Sequence, residues 1–496
     1  MFKISEKFVR ALKLGDAAIE IVSTPFIDMP ELISERALKG SEKTLSEHAA
    51  TNAIAGYSPM VEVIPMPKRG YGPRPVAILS ASSRVLYESI IQRLAPGLPE
   101  PSRKQGFEQH LEFGVGPWDR EDTRIVDLDV AACYEYIDHR ILQSELALQG
   151  LDANASEMLS DFLRNIFARE VGIPQALPAS HLISDAYLER MERGLQRAGY
   201  RVNRFADDFR IIARDLSSAH RAIEIAVEEA RSLGLTLADG KTNIRSPHEI
   251  RKIKKERDDL LQKYRDEAID DLGSINFIQV DYDEFEIQEI DAADEDVDFA
   301  ALMKIVEDWV ASDPEQLTLH SSFGSRALHI LKRAPDRIPD QWLIEIVSRE
   351  PRYLRAVLLY VSEREEQKEN WQTLSRLAEL PRTSSWGRVW LLAISSSLPA
   401  DAPEYQTKFL EWATTCLADK TEIVRAEAAW TLAGTGNISI GRVADLFVEA
   451  SELTQCGIGA VAGRLDAKIP SGVGNAIRGE SRLVRSAYTW GTQNAS

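Results

Sequence analysis

Apolar and polar residues alternate through Val126, Leu128 and Val130, a two-residue period that predicts a strand emerging near Asp129. Two more extended runs, at residues 202–205 and 209–213, flank Asp207 and Asp208. The stretch Arg204-Phe205-Ala206-Asp207-Asp208-Phe209-Arg210-Ile211-Ile212 therefore reads as a hairpin with adjacent carboxylates at its tip. Elsewhere the period lengthens to that of a helix. Leu182, Ile183, Ala186, Tyr187, Met191 and Leu195 share one face behind the loop Gly172-Ile173-Pro174-Gln175-Ala176-Leu177-Pro178. Ala219, Ala222, Ile223, Ala226, Val227, Ala230 and Leu233 form a second stripe, and residues 139–148 read as a shorter helix.

These patterns divide the chain into zones. Residues 1–250 mix strands and helices as an α+β domain does, with an N-terminal segment over 1–110 and a strand-rich one over 111–250. Residues 251–298 continue a charged helical run into an acidic tract, 281–298, which reads as a solvated linker or exposed segment. Residues 299–496 are nearly all helical in pattern. One stretch there, residues 419–433, has an acidic start, a Val-Arg pair and small residues along a face, and resembles a HEAT-type helix. Residues 325–334, 343–361 (interrupted by Pro351) and 386–397 are weaker candidates for related units. Such units stack through small residues, and an irregular helical bundle is the alternative.

Length and composition narrow the class. A chain of 496 residues with 44% hydrophobic and 27% charged content is expected to form two or three soluble domains. No apolar run is long enough to cross a bilayer, so no membrane partner is expected. Three scattered cysteines, Cys133, Cys416 and Cys456, argue against a disulfide framework or a zinc site and for a reducing cytoplasm. The net charge of −18 excludes a protein that coats nucleic acid by bulk electrostatics, yet leaves room for a local basic channel. About −12 of it falls beyond residue 250.

Adjacent carboxylates repel and raise each other's pKa unless cations neutralise them. An Asp-Asp turn alone is equally an ordinary solvated loop. The third acid, Asp129, changes that reading. Carboxylates brought together from separate strands are what two-metal phosphoryl transfer requires, with ions ~4 Å apart on the attacking and leaving oxygens. Lys241, in Leu233-Gly234-Leu235-Thr236-Leu237-Ala238-Asp239-Gly240-Lys241-Thr242, would be a cation near a triphosphate.

The order Asp129 to Tyr134, Gly-Ile-Pro-Gln to Ser180, Phe-Ala-Asp-Asp, and Gly-Leu-x-Leu to Lys-Thr resembles motifs A, B, C and D of reverse transcriptases. The fingers motif is similar too, in Ile64-Pro65-Met66-Pro67-Lys68-Arg69-Gly70-Tyr71-Gly72-Pro73-Arg74-Pro75-Val76 followed by Arg84-Val85-Leu86-Tyr87. The resemblance spans residues 57–245 and implies right-hand polymerase fingers and palm, ahead of the HEAT-like helical-repeat region. By resemblance, Asp129, Asp207 and Asp208 bind two Mg²⁺ (Mn²⁺ as an alternative), with the Val130 carbonyl an extra ligand. Lys68 and Arg74 clamp the incoming dNTP, Gln175 lies beside nucleotide and template, and Tyr134 is the aromatic gate that excludes a ribose 2′-hydroxyl. Departures are Phe205 for the usual tyrosine, Ala176 for the usual glycine, Cys133 for an aromatic residue, and no recognisable thumb.

A helical C-terminal half in place of a thumb resembles bacterial abortive-infection and related defence reverse transcriptases. That implies antiviral DNA synthesis with RNA or single-stranded DNA as partner, in some members primed on the protein itself, and a homo-oligomer. Two other readings stand beside it. One is a conventional copier of a dedicated non-coding RNA, as retron and group II intron enzymes are. The other is an inactive palm acting as a scaffold through its helices, against which the three intact aspartates argue.

Overall fold

The computed structural model describes residues 2–68, 72–116, 120–268, 277–279, 285–287, 299–312, 317–332, 337–364, 368–381, 383–399 and 402–494. They form two compact units. One comprises residues 94–173 and 178–327, the other residues 1–93, 174–177 and 328–496. This division differs from the four segments read along the chain, because residues 1–93 share a unit with the helices beyond 328.

The first of these units is built on an antiparallel sheet of β3 (Arg124–Asp129), β4 (Arg201–Phe205), β5 (Asp208–Ala213) and β6 (Asn243–Arg245), in the order β4-β5-β3-β6. Residues directly opposite on antiparallel strands share a face. One face carries the rungs Val126–Ile211 and Leu128–Phe209, all four side chains buried. The helix Leu216–Ser232 packs on β3 and β5. Its stripe of buried alanines, Ala219, Ala222, Ala226 and Ala230, lets the helix come close to the strands. The helix Pro178–Arg197 packs on Leu216–Ser232, on His139–Leu148 and on β4. Each large apolar side chain so buried contributes roughly 1.5–3 kcal/mol.

In the second unit, β1 (Val61–Pro67) and β2 (Pro73–Leu79) form a hairpin with Pro65 opposite Pro75 and Pro67 opposite Pro73. Prolines are tolerated because each strand of a two-stranded sheet has a free edge. The hairpin is keyed to the helices. Both Glu62 carboxylate oxygens, from β1, accept the Glu422 and Ile423 N–H groups at 2.8 and 3.1 Å. They thereby cap the helix Glu422–Gly434, whose own N-cap Thr421 makes no side-chain capping bond. Nearby, the Asp28 carbonyl accepts both the Trp386 and the Trp390 indole N–H, at 2.8 and 3.1 Å, and the Asp28 carboxylate pairs with Arg355.

Alternate helices of this unit pack on one another. Leu354–Glu363, Ser385–Ser395, Glu422–Gly434, Gln455–Arg464 and Arg482–Gln493 form one row, and Asp340–Arg349, Asn370–Ala378 and Pro403–Cys416 form a second. Of the acidic tract, residues 285–287 form a strand paired with 277–279, which no solvated-linker reading anticipates, and the remainder lies outside the described residues. Residues 313–316 and 333–336 of the helical zone do too, so the expected helix over 325–334 is described only to residue 332.

Candidate active site on the palm sheet

Opposite the apolar face, β3 and β5 carry Asp127 facing Arg210 and, two rungs on, Asp129 facing Asp208. The two rungs have opposite electrostatics. Asp127 and Arg210 are 3% and 2% exposed and bonded at 2.7 Å, with Arg245 a second cation at 3.4 Å. Asp129 and Asp208 are 8% and 4% exposed, and like charges directly opposite destabilise a sheet. Asp207 adds a third carboxylate in the two-residue turn that joins Phe205 to its partner Asp208. Its carbonyl accepts the Val130 N–H at 3.3 Å, so the turn and the end of β3 are adjacent. The first turn residue, Ala206, has φ +56°, a position where hairpins favour glycine.

The cation seen on this rung is Lys241, whose Nζ lies 3.0 Å from Asp129 Oδ1. A 3₁₀ turn, Asp239–Lys241, presents it, and the Asp129 carbonyl accepting the Ala238 N–H at 2.8 Å fixes that turn beside β3. The lysine side chain is 61% exposed, so it can leave the carboxylate cheaply. Val130 is buried and bridged to Leu237.

The donors Asp129, Asp207 and Asp208 are all oxygen, the set suited to a hard divalent ion. Among the described residues no three His, Cys, Asp or Glu side chains form a ready-made metal cage. Mg²⁺ in particular is held through one or two carboxylates together with substrate phosphates rather than by a cage of protein groups, so the residues fit it.

Tyr134 follows in the short helix Cys133–Tyr136. Burial pushes its hydroxyl up to about 12, so the phenol is neutral, and the ring meets His181 edge-on at 6.2 Å. Burial likewise holds the neighbouring Cys133 thiol well above its ordinary value and brings His181 down to about 4.

The remaining expected residues belong to the other unit. Lys68 follows β1 and is exposed, Arg74 lies on β2 opposite Met66 and is half-buried, and Gln175 is buried. After Gln175, Ala176 adopts φ +62°, the left-handed conformation that the usual glycine would reach without strain. Its carbonyl accepts the Ile27 N–H at 3.1 Å.

Several site residues carry no periodic or motif signal. Ser102 and Arg103, in the 3₁₀ turn Ser102–Gln105, reach the hairpin of β4 and β5: Ser102 Oγ accepts the Ala206 N–H at 2.9 Å and donates to Asp185 at 2.7 Å, and the Arg103 guanidinium lies over the Phe205 ring. Arg204 holds Asp185 at 2.5 Å and the Ala206 carbonyl at 3.1 Å. No local pattern marks Ser102, Arg103, Asp185 or Arg204, because their bonds join segments far apart in the chain.

The comparisons with known proteins come to bear on this geometry. Residues 66–273 match the family model described as reverse transcriptase (RNA-dependent DNA polymerase), a span that contains Lys68, Arg74, Asp129, Tyr134, Gln175, Asp207, Asp208 and Lys241. No curated protein matches the chain. Among solved structures, a telomerase from Candida albicans with the TWJ fragment of telomeric RNA is similar at 11% identity over 75% of this chain and 65% of its own, with a TM-score of 0.30. Apo telomerase from Candida tropicalis is similar at 11% identity over 97% of this chain and 78% of its own, with a TM-score of 0.31. This chain therefore spans just under two thirds of the first of these, and overlaps so loose do not define a shared fold. Residues 66–273 are a reverse transcriptase domain, a domain of the nucleotidyltransferase class of enzymes.

Proposed function

We propose that this chain is a Mg²⁺-dependent reverse transcriptase of bacterial antiviral defence, which adds deoxynucleotides at Asp129, Asp207 and Asp208 and primes synthesis on a hydroxyl of its own. The observation that carries the catalytic part is the acidic rung: Asp129 opposite Asp208, with Asp207 in the adjoining turn, where the rung two residues back on the same face has an arginine. Two Mg²⁺ ions bound there, or Mn²⁺ in their place, would stabilise the attacking 3′-oxygen and the leaving pyrophosphate.

The protein groups have separate tasks in this reading. Asp129 and Asp207, with Asp208 and the Val130 carbonyl, would hold the ions. Lys241 exchanges Asp129 for the triphosphate as nucleotide arrives. Lys68 and Arg74 take phosphate oxygens, Arg74 by the paired donors that suit a guanidinium. Gln175 lies beside the nascent pair, and Tyr134 excludes the 2′-hydroxyl. The two rows of helices act as HEAT-like repeats that build a homo-oligomer and guide the product strand in the cytoplasm. Their alternate packing supports the repeat reading.

The test incubates full-length protein with Mg²⁺ and each labelled dNTP, with and without RNA. Label that migrates with the denatured protein in the absence of nucleic acid is expected. Label that needs added RNA and never stays on the protein would replace self-priming with templated copying of an RNA. Phage protection that survives Asp207→Ala with Asp208→Ala would remove polymerisation from the biology.

A further inference from the structure

We infer that Asp185 is a positioning residue for Asp207: through Ser102 and Arg204 it grips the turn residue Ala206 by both backbone polar groups, and so sets where the next carboxylate stands. The inference rests on Asp207 acting as a metal ligand. Asp185 lies on the helix Pro178–Arg197 and is 1% exposed. Its Oδ1 accepts the Ser102 hydroxyl at 2.7 Å and Arg204 Nη1 at 2.5 Å, and its Oδ2 accepts the Ser102 N–H at 3.0 Å. Both partners reach on to one residue. Ser102 Oγ accepts the Ala206 N–H at 2.9 Å, and Arg204 Nη1 donates to the Ala206 carbonyl at 3.1 Å. The donors balance. A carboxylate only accepts, so the single Ser102 hydroxyl hydrogen goes to Asp185 and the oxygen is left for Ala206. Nη1 carries two hydrogens, one for each of its acceptors.

The grip answers a need that the sequence creates. Ala206 has φ +56°, in the left-handed region where a Cβ is strained and where the first residue of such a turn favours glycine. Holding the peptides on both sides of its Cα holds that conformation. The peptide after Ala206 is planar, so fixing the Ala206 carbonyl also places the Asp207 N–H and Cα. On the far side, the Asp207 carbonyl accepts the Val130 N–H at 3.3 Å. The main chain of Asp207 is thus held from both flanks, by Asp185 through Ala206 and by the end of β3. Arg204, itself 6% exposed, is fixed in turn. Its Nη2 donates to the Asp185 carbonyl at 3.3 Å and its Nε to Glu192 at 3.1 Å, both on the same helix.

The experiment makes three measurements on full-length protein: dNTP incorporation with Mg²⁺, Mn²⁺ binding without nucleotide by electron paramagnetic resonance, and urea unfolding. Asp185→Asn keeps the shape but turns one acceptor into a donor. It should lower kcat about 10²-fold, the cost of a reacting group misplaced by about 1 Å, with KM for dNTP nearly unchanged and Mn²⁺ bound more weakly. Adding Ala206→Gly should recover about tenfold of the lost kcat and tighten Mn²⁺ again, because glycine takes a positive φ without strain. A residue that only stabilised the core would not be rescued by glycine at the turn. Unchanged kcat in Asp185→Asn, a loss that only tracks the folded fraction, or no recovery with Ala206→Gly would overturn the inference. If Asp185→Asn does not fold, Ser102→Ala loosens the Ala206 N–H alone. It should lower kcat about fivefold, the scale of one hydrogen bond, and unchanged kcat there is equally fatal. Asp207→Ala separates the layers. If it keeps incorporation the metal-ligand reading itself fails, whereas if it abolishes incorporation while Asp185→Asn keeps full kcat only the positioning role fails.

Discussion

Two rungs of one ladder, Asp127–Arg210 and Asp129–Asp208, separated by Leu128–Phe209, sit on the same face of the palm sheet and serve opposite ends. In the first, the buried acid is met by Arg210 at 2.7 Å and by Arg245. Arg210 reaches on to the His110 and Leu111 carbonyls and ties the strand to the helix Phe107–Glu112. In the second, acid faces acid, and Asp129 also pairs with a lysine that is largely exposed. A shift of two residues along a strand replaces a structural ion pair with facing carboxylates, the donor type a hard divalent cation takes. A buried carboxylate is thus read by what stands across from it, not by its burial.

The comparison can be broken at either rung. The largest effect is expected at the acidic one: Asp207→Ala with Asp208→Ala should cut dNTP incorporation by at least about 10³-fold, the rate equivalent of the several kcal/mol that catalytic metals supply. Circular dichroism should show the variant folded. At the other rung, Asp127→Ala leaves Arg210 buried without its acid and should lower unfolding free energy by about 3–5 kcal/mol in a urea titration. Its residual activity should track the folded fraction.

Acid sharpens the contrast. His110 lies against the structural rung, and its pKa falls to about 4, chiefly through burial and further through the Arg210 charge, against the hydrogen bond its Nδ1 donates to the Asn203 side-chain carbonyl oxygen, which opposes the shift. Below its ordinary value of 6.5 the unfolded chain binds a proton that the folded chain refuses until about 4. Stability therefore declines as pH falls through that window. Melting curves from pH 7 to pH 4 should show the decline, and His110→Gln should flatten it. The smallest effect is expected from Lys241→Met. Its exposed pair with Asp129 is worth under about 1 kcal/mol, so melting should barely move while incorporation drops by about tenfold or less.

Much of this was legible in the chain. The strand through Val126 and Leu128, the extended runs beside Asp207 and Asp208, the alanine stripe of Leu216–Ser232 and the helix His139–Leu148 all follow from periodicity, because each buries one face. The ladder register was not read, since nothing local says that Asp129 rather than Asp127 meets Asp208. Nor was the role of the turn Ser102–Gln105, whose bonds to Asp185 and Ala206 join residues about eighty to a hundred positions apart. The joining of residues 1–93 to the helices beyond 328 escaped for the same reason: Glu62 capping a helix at 422 is a contact across 360 positions. Buried Glu427, which accepts the Ile33 N–H at 2.6 Å and whose burial raises its pKa to about 7, had looked only like part of a repeat helix.

The most direct test pairs two readouts on Asp129→Asn, which removes one charge and keeps the shape. Incorporation of labelled dNTP with Mg²⁺ should fall below detection while the melting temperature of the metal-free protein stays level or rises, since the repulsion with Asp208 is relieved. Incorporation kept within a few-fold of the parent, or a melting temperature that drops as far as that of Asp127→Ala, would contradict the account.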